Sequence, residues 1–258
     1  MKNPVISVIT VVFNNKGTIS SAIDSVLGQT YSNIEHIIVD GGSTDGTVEI
    51  IQGYGKKIDK FISGHDKGIY DAMNKGIDLA TGDIVGILNS DDIYYDRQVL
   101  SDVVSAFESN NADAVYGDLV YVDKNDTNKV VRYWKSNQYK PGEFLKGWHP
   151  PHPTFFVKKE IYKKYGMFDC SLDISADFEL MLRFIEKYKI KTSYLPKVLA
   201  KMRLGGESNK SLRNIFQANI NCIKAFKKNG FKVGVFYPFV RLIPKAGQFF
   251  VRSRSRNP

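Results

Sequence analysis

Short apolar runs alternate with amphipathic stretches through the first hundred positions. Residues 5–13, 34–39 and 84–88 are runs dominated by β-branched side chains, each short enough for a buried strand. Between them, Ile19, Ala22, Ile23, Val26 and Leu27 recur at helical spacing, as do Ile69, Ala72, Met73, Ile77 and Ala80. A short helix from 47 to about 54, a third strand at Phe61 and Ile62, and a helix over 98–107 complete this half. Strands alternating with helices predict βαβ units and a largely parallel sheet.

The pattern changes after residue 110. Residues 112–123 and 130–134 read as an antiparallel pair around the turn-rich 124–128. A proline-rich loop at 148–153 leads to a strand at 154–157, helices over 159–165 and 177–188, and a strand over 192–203. Leu212, Ile215, Phe216, Ile220, Ile223 and Phe226 then form one apolar helical face. The expected fold class is α/β, with a mixed, mostly parallel central sheet flanked by helices. At 258 residues and 43% hydrophobic, the chain can bury one core and carry a small appendage.

Two acidic clusters follow strand patterns, where ligands collect in open α/β sheets. The first is Asp40-Gly41-Gly42-Ser43-Thr44-Asp45-Gly46; the second is Asn89-Ser90-Asp91-Asp92. Turn and cap chemistry accounts for much of the first, since Ser43 or Asp45 can cap the helix near Thr47. A strand-end carboxylate at Asp40 also suits a base N–H. In the second, adjacent carboxylates repel unless a cation or donors offset them, which points to Mg²⁺ or Mn²⁺ shared with phosphate oxygens. The alternative is a solvated helix start capped by Asp92 or Ser90.

Three further features carry candidate chemistry. Asp177 begins a helix whose apolar face is Phe178, Leu182 and Ile185; it complements the helix dipole or serves as a general base. The stretch from His65 to Gly76 is polar for a helix start and places Lys67 and Lys75 where a diphosphate could sit, or else in solvent. His149 and His152 lack further ligands in sequence, so a loop near an acceptor is expected rather than zinc.

Charge is unevenly distributed. Residues 1–200 hold 23 Lys+Arg and 26 Asp+Glu, while 201–258 hold 13 and 1. A near-neutral body with a basic, aromatic-rich end argues against nucleic acid as a partner and for an anionic membrane surface, the alternative being helices packed on the body with a solvated basic end. Lys232, Arg241 and Lys245 interrupt the apolar stretch from 231 to 251, so it should not span a bilayer. Two cysteines without metal-like spacing and an N-terminus without signal-peptide order lead us to expect a cytoplasmic protein, peripheral at most on the inner face of the membrane.

Taken in order, Val8-Ile9-Thr10-Val11-Val12-Phe13-Asn14, Asp40 to Thr47, Asn89-Ser90-Asp91-Asp92 and Ala176-Asp177-Phe178-Glu179-Leu180 resemble family 2 glycosyltransferases of the GT-A fold. The resemblance covers residues 5 to about 206. The Asp66-to-Gly76 segment and Arg203-Leu204-Gly205-Gly206 look like the branch found in bacterial capsule, O-antigen lipopolysaccharide and colanic-acid-type clusters. It implies a catalytic unit over 1–206, a nucleotide-binding half at 1–96, an acceptor half at 97–206, and a basic helical extension at 207–258.

By this resemblance Thr10, the end of the first strand, Asp40 and the loop near Asp66 cradle the nucleoside of a nucleotide-sugar donor, with uridine expected. Asp91 faces the ribose, and Asp92 coordinates Mn²⁺ or Mg²⁺. Asp177 deprotonates an acceptor hydroxyl, and the anomeric configuration inverts. The acceptor implied is a glycan, or one linked to polyprenyl diphosphate. Ala176 stands where many relatives carry an acid, and Met73-Asn74 stand near where many carry arginine. The diphosphate therefore has Lys67, Lys75, His152 and Arg203 as candidate partners.

Other functions fit less well. The turn after the first strand, Phe13-Asn14-Asn15-Lys16-Gly17-Thr18, lacks the glycine triplet of a dinucleotide-binding dehydrogenase. A sugar nucleotidyltransferase would want a glycine-rich basic loop there too. A non-catalytic sugar-binding or scaffold protein has no need of both Asp92 and Asp177.

Overall fold

The computed structural model describes residues 3–205, 212–234 and 236–241. The expected boundary at 206–207 and much of the basic end, including Lys245, Phe249 and Phe250, lie outside these residues, as do the side chains of Leu212 and Ile215.

Nine strands form one mixed sheet among the described residues. They are β1 (Ile6–Val12), β2 (Ile34–Asp40), β3 (Lys60–Ser63), β4 (Ile84–Ile87), β5 (Asp92–Tyr94), β6 (Ala114–Val122), β7 (Val130–Trp134), β8 (Phe156–Lys158) and β9 (Thr192–Arg203). The order is β3-β2-β1-β4-β8-β6-β9-β5, with β7 also paired to β6. The first four strands are parallel, β8 runs antiparallel between β4 and β6, and β5 runs antiparallel to β9. The helices are α1 (Ile19–Leu27), α2 (Thr47–Gly53), α3 (Ile69–Leu79), α4 (Val99–Asn110), α5 (Lys159–Tyr165), α6 (Ala176–Met181), α7 (Leu212–Lys228) and α8 (Tyr237–Val240).

Strand alternation sorts the core into two faces. Ile9 and Val11 of β1 pack with Ala72, Met73 and Ile77 of α3 and with residues of α5, α6 and α7. Ile6 and Val8 pack on the other face with Val99, Leu100 and Val103 of α4, and Val12 packs with Ile19 and Ile23 of α1. Gly76 lets α3 lie close to β1, because a Cβ there would come within 2.4 Å of Ile9 Cγ2. A buried Glu35 joins the bottom of the sheet to the α3–β4 turn, accepting from Ser7 Oγ (2.5 Å), Lys60 Nζ (2.7 Å) and the Thr81 N–H (2.8 Å). Burial alone would raise the Glu35 pKa, but these donors overrule it and hold the carboxyl down at about 2.

Three local expectations are corrected. The strand expected at 154–157 begins later, at Phe156, because His152–Thr154 form a 3₁₀ turn whose Thr154 hydroxyl donates to the Pro151 and Gly117 carbonyls. The helix expected over 177–188 is α6 followed by a π-helical turn, Leu182–Lys187. No helix starts at Ser90 or Asp92; instead Asp92 opens β5, a strand too short to leave a periodic signal. The C-terminal helix α7 is part of the core: Cys222, Ala225 and Phe226 are fully buried in the cluster that contains Phe178 and Phe184.

Candidate active site

The carboxyl ends of β1, β2 and β4 open on the same edge, since Val12 pairs with Asp40 and Ile9 with Ile87. Their loops are stitched together by side chains. The Asn14 N–H donates to Ser43 Oγ (2.7 Å), and the Thr44 N–H donates to Asn14 Oδ1 (2.8 Å). Asn15 reaches both acidic loops: its N–H donates to Thr47 Oγ1 (3.0 Å) and its Nδ2 to Ser90 Oγ (2.8 Å). Asn14 itself sits at φ +47, a left-handed conformation that asparagine tolerates.

Asp40 is buried and takes four donors. Its Oδ2 accepts from the Gly42 and Ser43 N–H groups (3.0 Å each) and from Ser63 Oγ (2.6 Å), and its Oδ1 accepts from Ser43 Oγ. Asp66 lies beside Gly41, so closely that a Cβ there would meet Asp66 Oδ2 at 2.6 Å. Phe13, 64% exposed, stands over the same glycine. Thr10, expected at the nucleoside, is fully buried in the sheet, and its hydroxyl bonds His36 Nε2 at 3.1 Å. Burial holds that imidazole down at about 4.

The second acidic loop is the most constrained. Asp92 is 0% exposed; its Oδ2 accepts from Asn89 Nδ2 at 3.0 Å, whereas its Oδ1 and the Asn89 Oδ1 are buried without a hydrogen-bond partner. Burial, with the Asp91 charge adding to it, pushes the Asp92 carboxyl well above its ordinary value. Two orphaned buried oxygens beside two carboxylates fit a hard divalent cation. No cluster of three His, Cys, Asp or Glu ligands exists among the described residues, so such an ion would draw the rest of its shell from phosphate oxygens and water. Arg203 backs the loop, donating from its guanidinium to the Asp91 carbonyl (2.6 Å) and to Ser21 Oγ (3.0 Å).

Asp177 lies in the first turn of α6, and its charge, like that of Asp92, is felt at Tyr121. In register across the strands, Asp92 pairs with Met202, Met202 with Tyr121, and Tyr121 with Arg132, so these four lie in one row. The Arg132 guanidinium stacks on the Tyr121 ring at 3.6 Å. Burial raises the Tyr121 phenol; Arg132 opposes that, and the charges of Asp92 and Asp177 both add to it. Both carboxylates are thus within electrostatic reach of one ring. His152 lies near Asp177, but desolvation outweighs that charge and keeps the imidazole below its usual range, hence neutral at pH 7.

Of the expected phosphate partners, Lys75 is already paired with Asp71 (3.1 Å) and the His65 carbonyl (3.1 Å), while Lys67 is exposed. Sequence reasoning placed the end of the first strand at the nucleoside without singling out Phe13 or the Asn14-Asn15 pair, and it did not reach Tyr121 or Arg132. An aromatic at the strand end followed by two asparagines was the available signal for the first three residues. Tyr121 and Arg132 needed the β6–β7 register, which a strand pattern alone does not fix.

A curled, mostly parallel sheet with two acidic loops at one edge has the architecture of a GT-A-like fold. Residues 7–166 match the model of Glycosyl transferase family 2, and the chain belongs to that family. Among curated proteins it is similar to a PGL/p-HBAD biosynthesis glycosyltransferase of Mycobacterium bovis, 28% identical over 214 residues, covering 81% of each chain. It is 33% identical over 182 residues to an uncharacterised glycosyltransferase of Mycobacterium tuberculosis, covering 70% of this chain and 68% of the other.

Solved structures of the same fold include the mannosyltransferase PcManGT of Pyrobaculum calidifontis in complex with GDP-Man and Mn²⁺, at TM-score 0.67 and 20% identity, covering 95% of this chain and 69% of that one. Another is S. aureus TarS 1–349 in complex with UDP-GlcNAc, at TM-score 0.63 and 16% identity, covering 85% and 66%. The chain spans 44% of the longer TarS chain.

Proposed function

We propose that this glycosyltransferase moves a hexose or N-acetylhexosamine from a UDP-sugar to a hydroxyl of a growing bacterial surface glycan, with inversion at the anomeric carbon. The observation that carries the proposal is the buried, half-satisfied carboxylate of Asp92, with Asp177 within electrostatic reach of the same Tyr121 ring. Phe13 offers a face on which the base stacks, Asp66 borders the same pocket, and Asp91 is assigned to the ribose. Asp40 serves by shaping the loop, since its oxygens already hold four donors. A divalent cation held by Asp92 would neutralise charge developing on the leaving diphosphate. Asp177 takes the proton from the attacking hydroxyl on the opposite side, and the neutral His152 lines that side. Residues 1–96 supply the donor half and 97–206 the acceptor half.

The test is metal-dependent turnover of UDP-, GDP- and TDP-sugars by the full chain. Turnover confined to UDP-sugars supports the proposal. Turnover of another donor with failure of every UDP-sugar removes the uridine assignment, and metal-independent turnover removes the role of Asp92.

A lipid-linked acceptor and attachment to the inner membrane face are favoured by a specific patch. Leu145, Val233, Phe236 and Val240 line one shallow depression with Lys232, and Phe236 and Phe239 are 72% and 68% exposed. No helix among the described residues is long and apolar enough to cross a membrane. An interfacial mode buries such aromatics at the headgroup level beside basic side chains. Co-sedimentation with vesicles containing anionic lipid, lost in Phe236→Ser/Phe239→Ser, is the expected result; equal binding by both proteins rejects it.

A further inference from the structure

Helix α3 carries Tyr70 and Asn74 one turn apart, and both are directed at the segment leading into α6. Asn74 grips the Phe168 backbone twice, donating from Nδ2 to the carbonyl (2.9 Å) and accepting the N–H on Oδ1 (2.9 Å). The Tyr70 ring stacks on Phe168, with centroids 5.5 Å apart. Its hydroxyl accepts the Ser175 N–H (3.1 Å) and donates to Asp177 Oδ1 (3.1 Å). Burial, with the Asp177 charge adding to it, raises the Tyr70 phenol well above its ordinary value, so it stays a donor throughout the working pH range.

Helix α7 holds the same segment from the other side. Asn221, 2% exposed, donates from Nδ2 to the Ile174 carbonyl at 2.7 Å, and Ser175 Oγ reaches the Ala218 carbonyl at 3.4 Å. One turn further into α6, Asn229 donates to Glu179 Oε1 (2.9 Å), which also pairs with Arg183. Between the two grips, Ser175 sits at φ +88, in the left-handed region that a serine holds only when its surroundings over-determine it.

We propose that Tyr70 and Asn221 are positioning residues for Asp177. They clamp Ile174-Ser175 from opposite sides, set the strained turn that starts α6, and through the Tyr70 hydroxyl orient the carboxylate. The proposal rests on the assignment of Asp177 as base. It gives part of the polar Asp66-to-Gly76 segment a task inside the protein, apart from any phosphate. It also makes α7, which lies beyond the residues 7–166 of the family match, a component of the active site.

The experiment compares full-length Tyr70→Phe, Asn221→Ala and Asp177→Asn for kcat and donor KM in metal-dependent donor turnover, and for UDP affinity by calorimetry. Tyr70→Phe should lower kcat on the order of ten- to a hundredfold, the scale of a sub-ångström to ångström misplacement, with donor KM and UDP affinity unchanged. Asn221→Ala should lower kcat with donor KM unchanged; a purely architectural asparagine would lower melting temperature alone.

Unchanged kcat in Tyr70→Phe, alongside an inactive Asp177→Asn, overturns the clamp. A joint loss of kcat and UDP affinity in Tyr70→Phe overturns it too, by placing Tyr70 in donor binding. An active Asp177→Asn overturns the base assignment itself, a separate result.

Discussion

Replacing Asp92 by asparagine should stabilise the metal-free protein while it destroys metal-dependent activity. The side chain is fully buried, its Oδ1 has no partner, and burial together with Asp91 holds its pKa well above the ordinary 3.8. Because the folded pKa is raised, ionisation penalises the fold: the penalty is absent below pH 3.8, grows as pH rises through the raised folded value, and is complete above it. Asparagine keeps the shape and can still accept from Asn89 Nδ2 through its amide oxygen. A buried unsatisfied polar group costs about 1–3 kcal/mol, more when charged, so a gain of about 2 kcal/mol at pH 8 is a conservative figure. For a protein of this size that is about 4–8 °C in Tm. Scanning calorimetry in chelator, at pH 8 and pH 4.5, gives the comparison; the gap between the two proteins should shrink at the lower pH. Adding Mn²⁺ with UDP should then raise the Tm of the unsubstituted protein and leave Asp92→Asn unmoved. A gap of the same size at both pH values, or an asparagine variant less stable at pH 8, would refute the reasoning.

Other consequences are open to direct measurement. Asp177→Asn should cut sugar transfer about 10²–10⁴-fold, the usual worth of a general base, while UDP affinity by calorimetry stays the same. Phe13→Ala should weaken UDP binding by about 1–3 kcal/mol, the range for one base stacked on an aromatic ring, and loss of less than half that would remove Phe13 from the site. Glu35→Gln should destabilise the fold by about 1–3 kcal/mol near neutrality. Since the Glu35 pKa is depressed to about 2, its contribution is present above its unfolded value of about 4.5 and is lost as pH falls through 2, so urea unfolding should show the difference narrowing between pH 5 and pH 2.5.

The donor half of the fold was legible because its elements are long and periodic. The runs around β1, β2 and β4 and the apolar stripes of α1 and α3 predict their elements to within a residue or two. What failed was short or governed by tertiary contact. β5 and β8 have three residues each, and the π-helical turn after α6 follows an apolar spacing that an ordinary helix shares. The candidate site residues, whose roles are proposals, differ in how plainly their places in the fold could be read. Asp40, Asp92 and Asp177 stand at element ends where position in sequence implies position in space. Thr10 stood in the right strand, but period-2 alternation turned it inward against His36. Tyr70 was seen only as part of a polar helix start, because its partners, Ser175 and Asp177, are more than a hundred residues away.

The lattice of Asn14, Asn15, Ser43, Thr47 and Ser90 joins three loops before any nucleotide arrives. A donor bound there as proposed would meet walls that are already standing, with little chain entropy left to lose on binding. Association should then be fast and weakly dependent on temperature, a single bimolecular phase in stopped-flow. Discrimination among donors would fall on how quickly each one leaves.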